Sequence, residues 1–223
     1  MAMPVYLRQT LLPLLLCISG SAWATQPSLL VGLHIQNDRI ALQYAAAVRE
    51  TDFTRLDLLW YEPLTSWLDG SVKLGIIDVT QDSNPIPAGQ STSGNTLSLA
   101  LRLHLYRGDY LKLHADMTYQ YADTSADLTG QTVEMRWHQI SGQVGADIRL
   151  VQYTYLTLAA GTIAIDGHEY ATGTTTSVQS FQSNKQAFGH LGILIGVDPT
   201  SHIGIEVSAG AVSGGRIFFQ RWF

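Results

Sequence analysis

The sequence predicts an all-β chain, an antiparallel, up-and-down transmembrane β-barrel of ten strands, with eight as the alternative count. Three observations point there. Apolar residues recur at every second position over many separate segments. Several of those segments reach the length, about 9–11 residues, that a tilted strand needs to cross a bilayer. The connections between them alternate between short turns and long polar stretches, the arrangement of membrane barrels.

Alternation is clearest in the middle of the chain. Leu97, Leu99, Leu101, Leu103 and Leu105 fall on one face, against Ser98, Ala100, Arg102, His104 and Tyr106 on the other. After the tight turn Arg107-Gly108-Asp109, Leu111, Leu113, Ala115, Met117, Tyr119 and Tyr121 oppose Lys112, His114, Asp116, Thr118 and Gln120. Successive side chains of a strand point to opposite faces, so each segment has one apolar and one polar side. A helix would need apolar spacings of three and four, which neither segment offers.

The remaining elements follow the same rule. Ile40, Leu42, Tyr44, Ala46 and Val48 share a face, then Leu56, Leu58 and Trp60, then Val72, Leu74 and Ile76. The phase slips near His138-Gln139, where a bulge is expected, before Val144, Ala146, Ile148 and Leu150. Leu191 to Val197 and Ile203 to Val207 complete the series. The ten expected strands span 39–49, 54–62, 70–81, 95–106, 110–121, 133–149, 152–165, 186–198, 203–211 and 215–223. Val31 to Gln36 also alternates and reads as a bulged extension of the first strand. Eight strands would result if a pair among 39–62 were misassigned. Short connections are expected at 62–69, 107–109, 150–152 and 198–202, and long polar loops at 82–94, 122–132 and 166–185.

The chain's beginning reads as a secretory signal peptide over residues 1–24. One positive charge and no acid precede a short apolar run from Leu11 to Ile18, and Ala22-Trp23-Ala24 supplies a small-x-small cleavage site. The run is far shorter than the roughly 20 apolar residues of a spanning helix. The barrel is then the single domain 25–223. Cys17 is the only cysteine; it lies within the leader, and Leu16 before it does not fit a lipoprotein site. The remainder therefore has no disulfide framework and no thiolate metal site. A net charge of −5 argues against a nucleic-acid partner, which would want a basic face.

The last segment, Gly215 to Phe223, resembles the terminal strand of bacterial outer-membrane barrel proteins. In that class the final residue is aromatic and alternate residues before it are apolar; Ile217, Phe219 and Phe223 match. Arg221 departs from the pattern, and its side chain can snorkel to the headgroups. The resemblance implies residence in the outer membrane of a Gram-negative bacterium, with outer-membrane lipids and the barrel assembly machinery as partners. It assigns no specific family.

Barrel size bounds function. About eight strands leave an interior filled by side chains, whereas porins with aqueous channels have roughly 16–18. The residues expected to point inward are Arg55, Asp57, Lys73, Arg102, His104, Lys112, His114, Asp116, Glu134, Arg136, Asp147, Arg149 and Glu206. Both signs are present, and buried charges need partners. A plugged, salt-bridged lumen is therefore expected, in a monomeric protein with a structural or surface-recognition role. A narrow porin-like conduit for small solutes or ions is the alternative.

Two enzyme classes bear on the sequence. Barrel lipid A deacylases use a His-x-Ser pair, and none of the seven histidines has a serine two positions on. Omptin-type proteases use acidic residues with an Asp-x-His pair at the external rim. Asp166-Gly167-His168 has that spacing, with Asp78 and Asp82 at comparable height. A turn at a loop base accounts for the same residues, so no catalytic residue is assigned. His104 and His114 are expected on adjacent strands, but two histidines lack a third metal ligand. No metal or cofactor is assigned.

Overall fold

The computed structural model describes residues 29–81, 90–128, 130–173 and 176–223. The leader expected at 1–24 lies outside them. Eleven strands form one antiparallel sheet: β1 Leu30–Tyr44, β2 Val48–Pro63, β3 Leu68–Gln81, β4 Ser91–Arg107, β5 Leu111–Leu128, β6 Gln131–Val151, β7 Thr154–Gly173, β8 Ser177–Ser183, β9 Ala187–Gly196, β10 Ser201–Gly210 and β11 Val212–Trp222. The sheet closes twice. A ten-membered ring runs β1 to β7 and then β9, β10 and β11, sealed by the β1–β11 ladder from Leu30↔Trp222 to Ile40↔Val212. Beyond Ile40 a smaller ring takes over. There β8 pairs with the end of β7, from Asp166↔Gln182 to Ala171↔Ser177, and with the end of β1, from Leu42↔Ser183 to Tyr44↔Phe181.

The barrel therefore has ten strands at the end holding both described termini, the near end, and eight at the far end. The reduction has a local cause. The β10–β11 hairpin turns early, at Gly210 and Ala211, where Gly210 takes a φ of +108° that favours glycine. The Ala211 amide closes onto the Ala187 carbonyl at 2.7 Å. Meanwhile β7 continues for 20 residues, and the returning chain splits into β8 above and β9 below. Asn184 and Gln186, between them, bond to Ala41 and Ile163 backbone groups at 3.0 and 2.8 Å and so tie the step to β1 and β7.

Along most strands the two faces exchange chemistry partway. On β3, Leu74 and Ile76 point outward and are exposed, while Ile77 and Val79 point inward and are buried. On β1, Leu33 and Ile35 face out whereas Ile40, Leu42 and Tyr44 face in. On β6, Val133, Met135 and Trp137 are buried inside and Ile140 and Val144 are exposed outside. The near half is thus a barrel with an apolar exterior and polar lumen; the far half has a polar exterior and an apolar core. That core joins Leu42, Tyr44, Phe53, Ile77, Val79, Val133, Met135, Trp137, Ile163, Ile165 and Phe181 in one cluster. Phe53 and Trp137 rings lie 5.5 Å apart, and Tyr44 and Phe181 rings 5.4 Å.

Several sequence expectations change accordingly. The apparent slip at His138-Gln139 is no bulge: the β5–β6 ladder runs unbroken through Gln120↔Gln139 and Tyr121↔His138. The register slips instead between His104 and Tyr106 and between Arg149 and Val151. What changes at 138 is the lumen, from apolar to polar. Consequently Glu134 and Arg136 lie on the outer face, not inside; Arg136 pairs there with Asp123 at 3.4 Å and Glu134 at 3.0 Å. Val31 to Gln36 belongs to β1 with no bulge, and the expected 39–49 strand is cut by the turn at 45–47. The expected loops 122–132 and 166–185 are mostly strand, from β5–β6 and β7–β8. Of loop 82–94, residues 82–89 lie outside the described residues and 91–94 begin β4.

Candidate functional site

The near half encloses a polar chamber of about 340 Å³. Its walls come from the inward phase of every strand in the ten-membered ring. Because side chains of small-barrel strands converge, bulky polar groups require small neighbours. Gly75 and Gly145 provide them: a Cβ would lie 2.0 Å from Asp57 Oδ1 at the first and 2.4 Å from His114 Nε2 at the second.

Toward the near mouth, the Asp69 carboxylate is approached by the Tyr61 hydroxyl, His104 Nε2 and, at 3.8 Å, the Arg107 guanidinium. Beside it, Arg102 donates two hydrogen bonds to Asp116 at 2.7 and 3.0 Å, and the Gln143 amide donates a third at 2.8 Å. His114 stands 3.5 Å from Asp116 and 3.8 Å from Asp147. His104 and His114 are direct cross-strand partners. Each is held by carboxylates, and among the described residues no three such side chains are grouped to hold a metal ion.

Deeper in, Arg55 donates to Asp38 at 2.5 Å and to Gln120 at 2.6 Å. Arg216 donates to Glu206 at 2.5 Å. His34 meets Gln220 at 3.2 Å and His190 meets Ser208 at 2.8 Å. Two ionic side chains in this layer have no ion-pair partner. Among the described residues, Lys73 finds no hydrogen-bond or salt-bridge partner. Among the described residues, the one hydrogen bond to Asp57, itself 3% exposed, comes from the Thr96 hydroxyl at 3.3 Å. The ceiling is apolar, formed by Ile40, Ile163, Phe188 and Val212 where the ring narrows.

Water reaches the chamber from the near end. Inward-facing Arg102 is 36% exposed there, while Asp38 keeps only 3%. Above the ceiling, Leu42, Val79, Val133 and Met135 have no exposure. A second buried network lies over them: Glu169 accepts from the Tyr44 hydroxyl at 3.1 Å and from Arg49 at 3.3 Å, and Arg49 sits 4.0 Å above the Tyr44 ring. Gln81 joins Tyr44 to Thr51 through two 3.0 Å bonds.

Of the residues expected in the lumen, Arg55, Asp57, Lys73, Arg102, His104, His114, Asp116, Asp147 and Glu206 share it. Lys112 is exposed at the mouth, its amine 5.2 Å above the Tyr155 ring. Arg149 stands at the ladder slip near the same end. Asp166 and His168 are exposed on the outer face of β7, and Asp78 points outward on β3, held by Ser93. Three strands, β4 to β6, separate β3 from β7, and Asp82 lies outside the described residues; no rim site is assembled. The inward set expected from sequence lacks His34, Asp38, Asp69, His190 and Arg216; Gln120 shares the polar face of its strand but carries no charge. Arg216 was legible, lying in antiphase to Ile217 and Phe219. Asp38 was hidden because the polar run His34-x-Gln36-x-Asp38 meets apolar Ile40 in the same phase.

No family model matches the chain, and no curated protein matches it. Solved structures do. The outer-membrane protease OmpT of Escherichia coli superposes with a TM-score of 0.52 at 8% identity, covering 90% of this chain and 95% of that one. The translocator domain of the autotransporter NalP from Neisseria meningitidis gives 0.53 at 11% identity, covering 89% and 90%. An outer-membrane channel from Pseudomonas putida gives 0.51 at 12% identity, covering 90% and 97%. The fold is that of a bacterial outer-membrane β-barrel. A protease, a translocator and a channel share it, so likeness at these identities speaks to architecture alone.

Proposed function

We propose that this protein is a non-conducting barrel of a Gram-negative outer membrane whose far half stands clear of the bilayer as a surface platform. The observation that carries this reading is the exchange of polarity between the two faces along single strands. A wall bathed in lipid needs apolar residues outside. A wall bathed in water needs them inside, where burial contributes about 25 cal/mol per Å². Leu74-x-Ile76 outside and Ile77-x-Val79 inside, on one strand, fit a crossing from the first solvent to the second. The far end then faces the exterior and the near end the periplasm. In this reading residues 1–24 are a cleaved signal peptide, and Ile217, Phe219 and Phe223 direct assembly by the barrel machinery. The seal is the apolar core of the projecting half; the salt bridges below it organise a chamber open only to the periplasm.

The test is conductance in planar bilayers. The wild-type protein should give no steady current, and a variant with Trp137→Ala and Phe181→Ala should open a small pore, since both rings occupy the eight-stranded lumen. Steady conductance of the folded wild-type protein would overturn the reading and favour a narrow channel.

A further inference from the structure

We propose that the chamber is a binding site for a small zwitterion, of the class of a free α-amino acid, entering from the periplasmic mouth. The inference rests on the chamber being blind, as proposed above, and adds an occupant to it. In the deep layer three cations, Arg55, Lys73 and Arg216, face three carboxylates, Asp38, Asp57 and Glu206. Four of these six groups are satisfied at contact distance as two pairs, Arg55 with Asp38 and Arg216 with Glu206, each at 2.5 Å. That leaves one charge of each sign, Lys73 and Asp57, without an ion pair although both line the same cavity.

Buried charges are held by partners, and an unpartnered one is costly. The register makes these two diagonal neighbours on adjacent strands, within reach of a long side chain, yet they do not close to an ion pair. Lys73 is opposite Leu59, whereas Asp57 is opposite Gly75, one pleat farther from the mouth. The glycine is needed there, because any side chain at 75 would collide with Asp57. The wall therefore presents an ammonium and a carboxylate to one cavity without closing them on each other as an ion pair.

Hydrogen-bonding capacity points the same way. Beside Lys73, Arg55 Nε, Arg216 Nε and His34 Nδ1 are buried with no acceptor. Among the described residues of that layer, one buried acceptor, Asp38 Oδ1, lacks a donor. An occupant offering a carboxylate supplies acceptors where donors are in surplus, and its ammonium answers Asp57. Because the six local charges already cancel, an occupant of zero net charge leaves the balance intact. A simple anion would add a negative charge beside three carboxylates. The chamber's 340 Å³ lies at the lower end of the range of small-ligand sites, about 300–1,000 Å³.

The experiment is isothermal titration of the detergent-solubilised full-length barrel with a panel of free amino acids, alongside acetate, succinate and a primary amine. At least one amino acid should bind saturably. Lys73→Met and Asp57→Asn should each weaken that binding tenfold or more, while Lys112→Met at the mouth should not change it. Heat-modifiable electrophoresis establishes that each variant is folded. Absence of binding by every amino acid, equal binding by acetate or the amine, or unchanged binding in Lys73→Met and Asp57→Asn would overturn the proposal. Failure of the blind-chamber reading would show separately, as conductance of the wild-type protein.

Discussion

An arginine scan along β3 tests where lipid ends. Leu74, Ile76 and Asp78 point outward in sequence, each step advancing roughly 6.8 Å along the strand, and the first two are 56% and 59% exposed. Arginine on the lipid face of a barrel costs about 2–4 kcal/mol at the midplane and about 0–1 near the interfaces. Leu74→Arg should therefore cost about 2–3 kcal/mol, Ile76→Arg about 1, and Asp78→Arg close to nothing. On the opposite face the order reverses. Val79 has no exposure, and an arginine there has no carboxylate to meet among apolar neighbours, so the far half should lose its packing. Reversible urea unfolding from lipid vesicles, followed by tryptophan fluorescence, measures the first three; Trp137 inside the far core reports on the fourth. Equal costs for Leu74→Arg and Asp78→Arg would mean that lipid covers the far half. A tolerated Val79→Arg would mean that its interior is wet. Either result refutes the argument from exchanged faces.

Three further outcomes follow from single contacts. Arg49→Ala leaves Glu169, 1% exposed, without its cation, and should destabilise the far half by about 3–5 kcal/mol, most of it recovered in Arg49→Met with Glu169→Gln, as read by urea midpoints. Gly145→Ala drives a methyl to 2.4 Å from the His114 ring and should cost about 1–3 kcal/mol, seen as a lower temperature for loss of the folded electrophoretic form. In the β9–β10 turn, Asp198 accepts from the Thr200 hydroxyl and from the Thr200 and Ser201 amides, which hold its carboxyl down to about 2. A depressed folded value means that the turn's contribution is complete above the ordinary carboxylate range and fades as pH falls toward 2. The stability difference between wild type and Asp198→Ala should thus be constant from about pH 5 upward and shrink below about pH 4.

The strand count and the polar lumen were legible because alternation is a local property of consecutive residues. Leu97 to Leu105 and Leu111 to Tyr121 state their faces without reference to anything distant, and both form strands as read. What alternation does not state is which side is lipid. Ile40, Leu42 and Tyr44 look like Leu97, Leu99 and Leu101 in sequence, yet the first three pack inside and the last two of the second set are exposed outside. The same ambiguity made a bulge of the change at His138 and turned Glu134 and Arg136 inward. The far strands read as loops for a related reason. Their outward residues, such as Asp123, Ser125, Asp166 and Thr172, are those of a water-facing surface, and a polar stretch after a membrane strand reads as a loop. The eight-stranded ring was hidden because it depends on β8 meeting β1, residues far apart in the chain.

The narrowing and the exchange of faces belong to one physical requirement. A wall that leaves the membrane loses the lipid that its apolar exterior needs, and its interior must then supply the burial. An interior can do so only if side chains meet across it, which a ring of about eight strands allows and wider rings progressively forbid. Ending β10 and β11 at Ala211 removes two strands at the level where Leu42, Val79, Met135 and Trp137 begin to fill the lumen. Below that level the wider ring leaves space that apolar groups do not span, and paired polar groups occupy it instead. The polar chamber and the apolar core above it are thus two consequences of one early turn. Lengthening the β10–β11 hairpin to match β7 should widen the far lumen, expose the Trp137 ring to water-soluble quenchers, and admit current without altering any residue of the core.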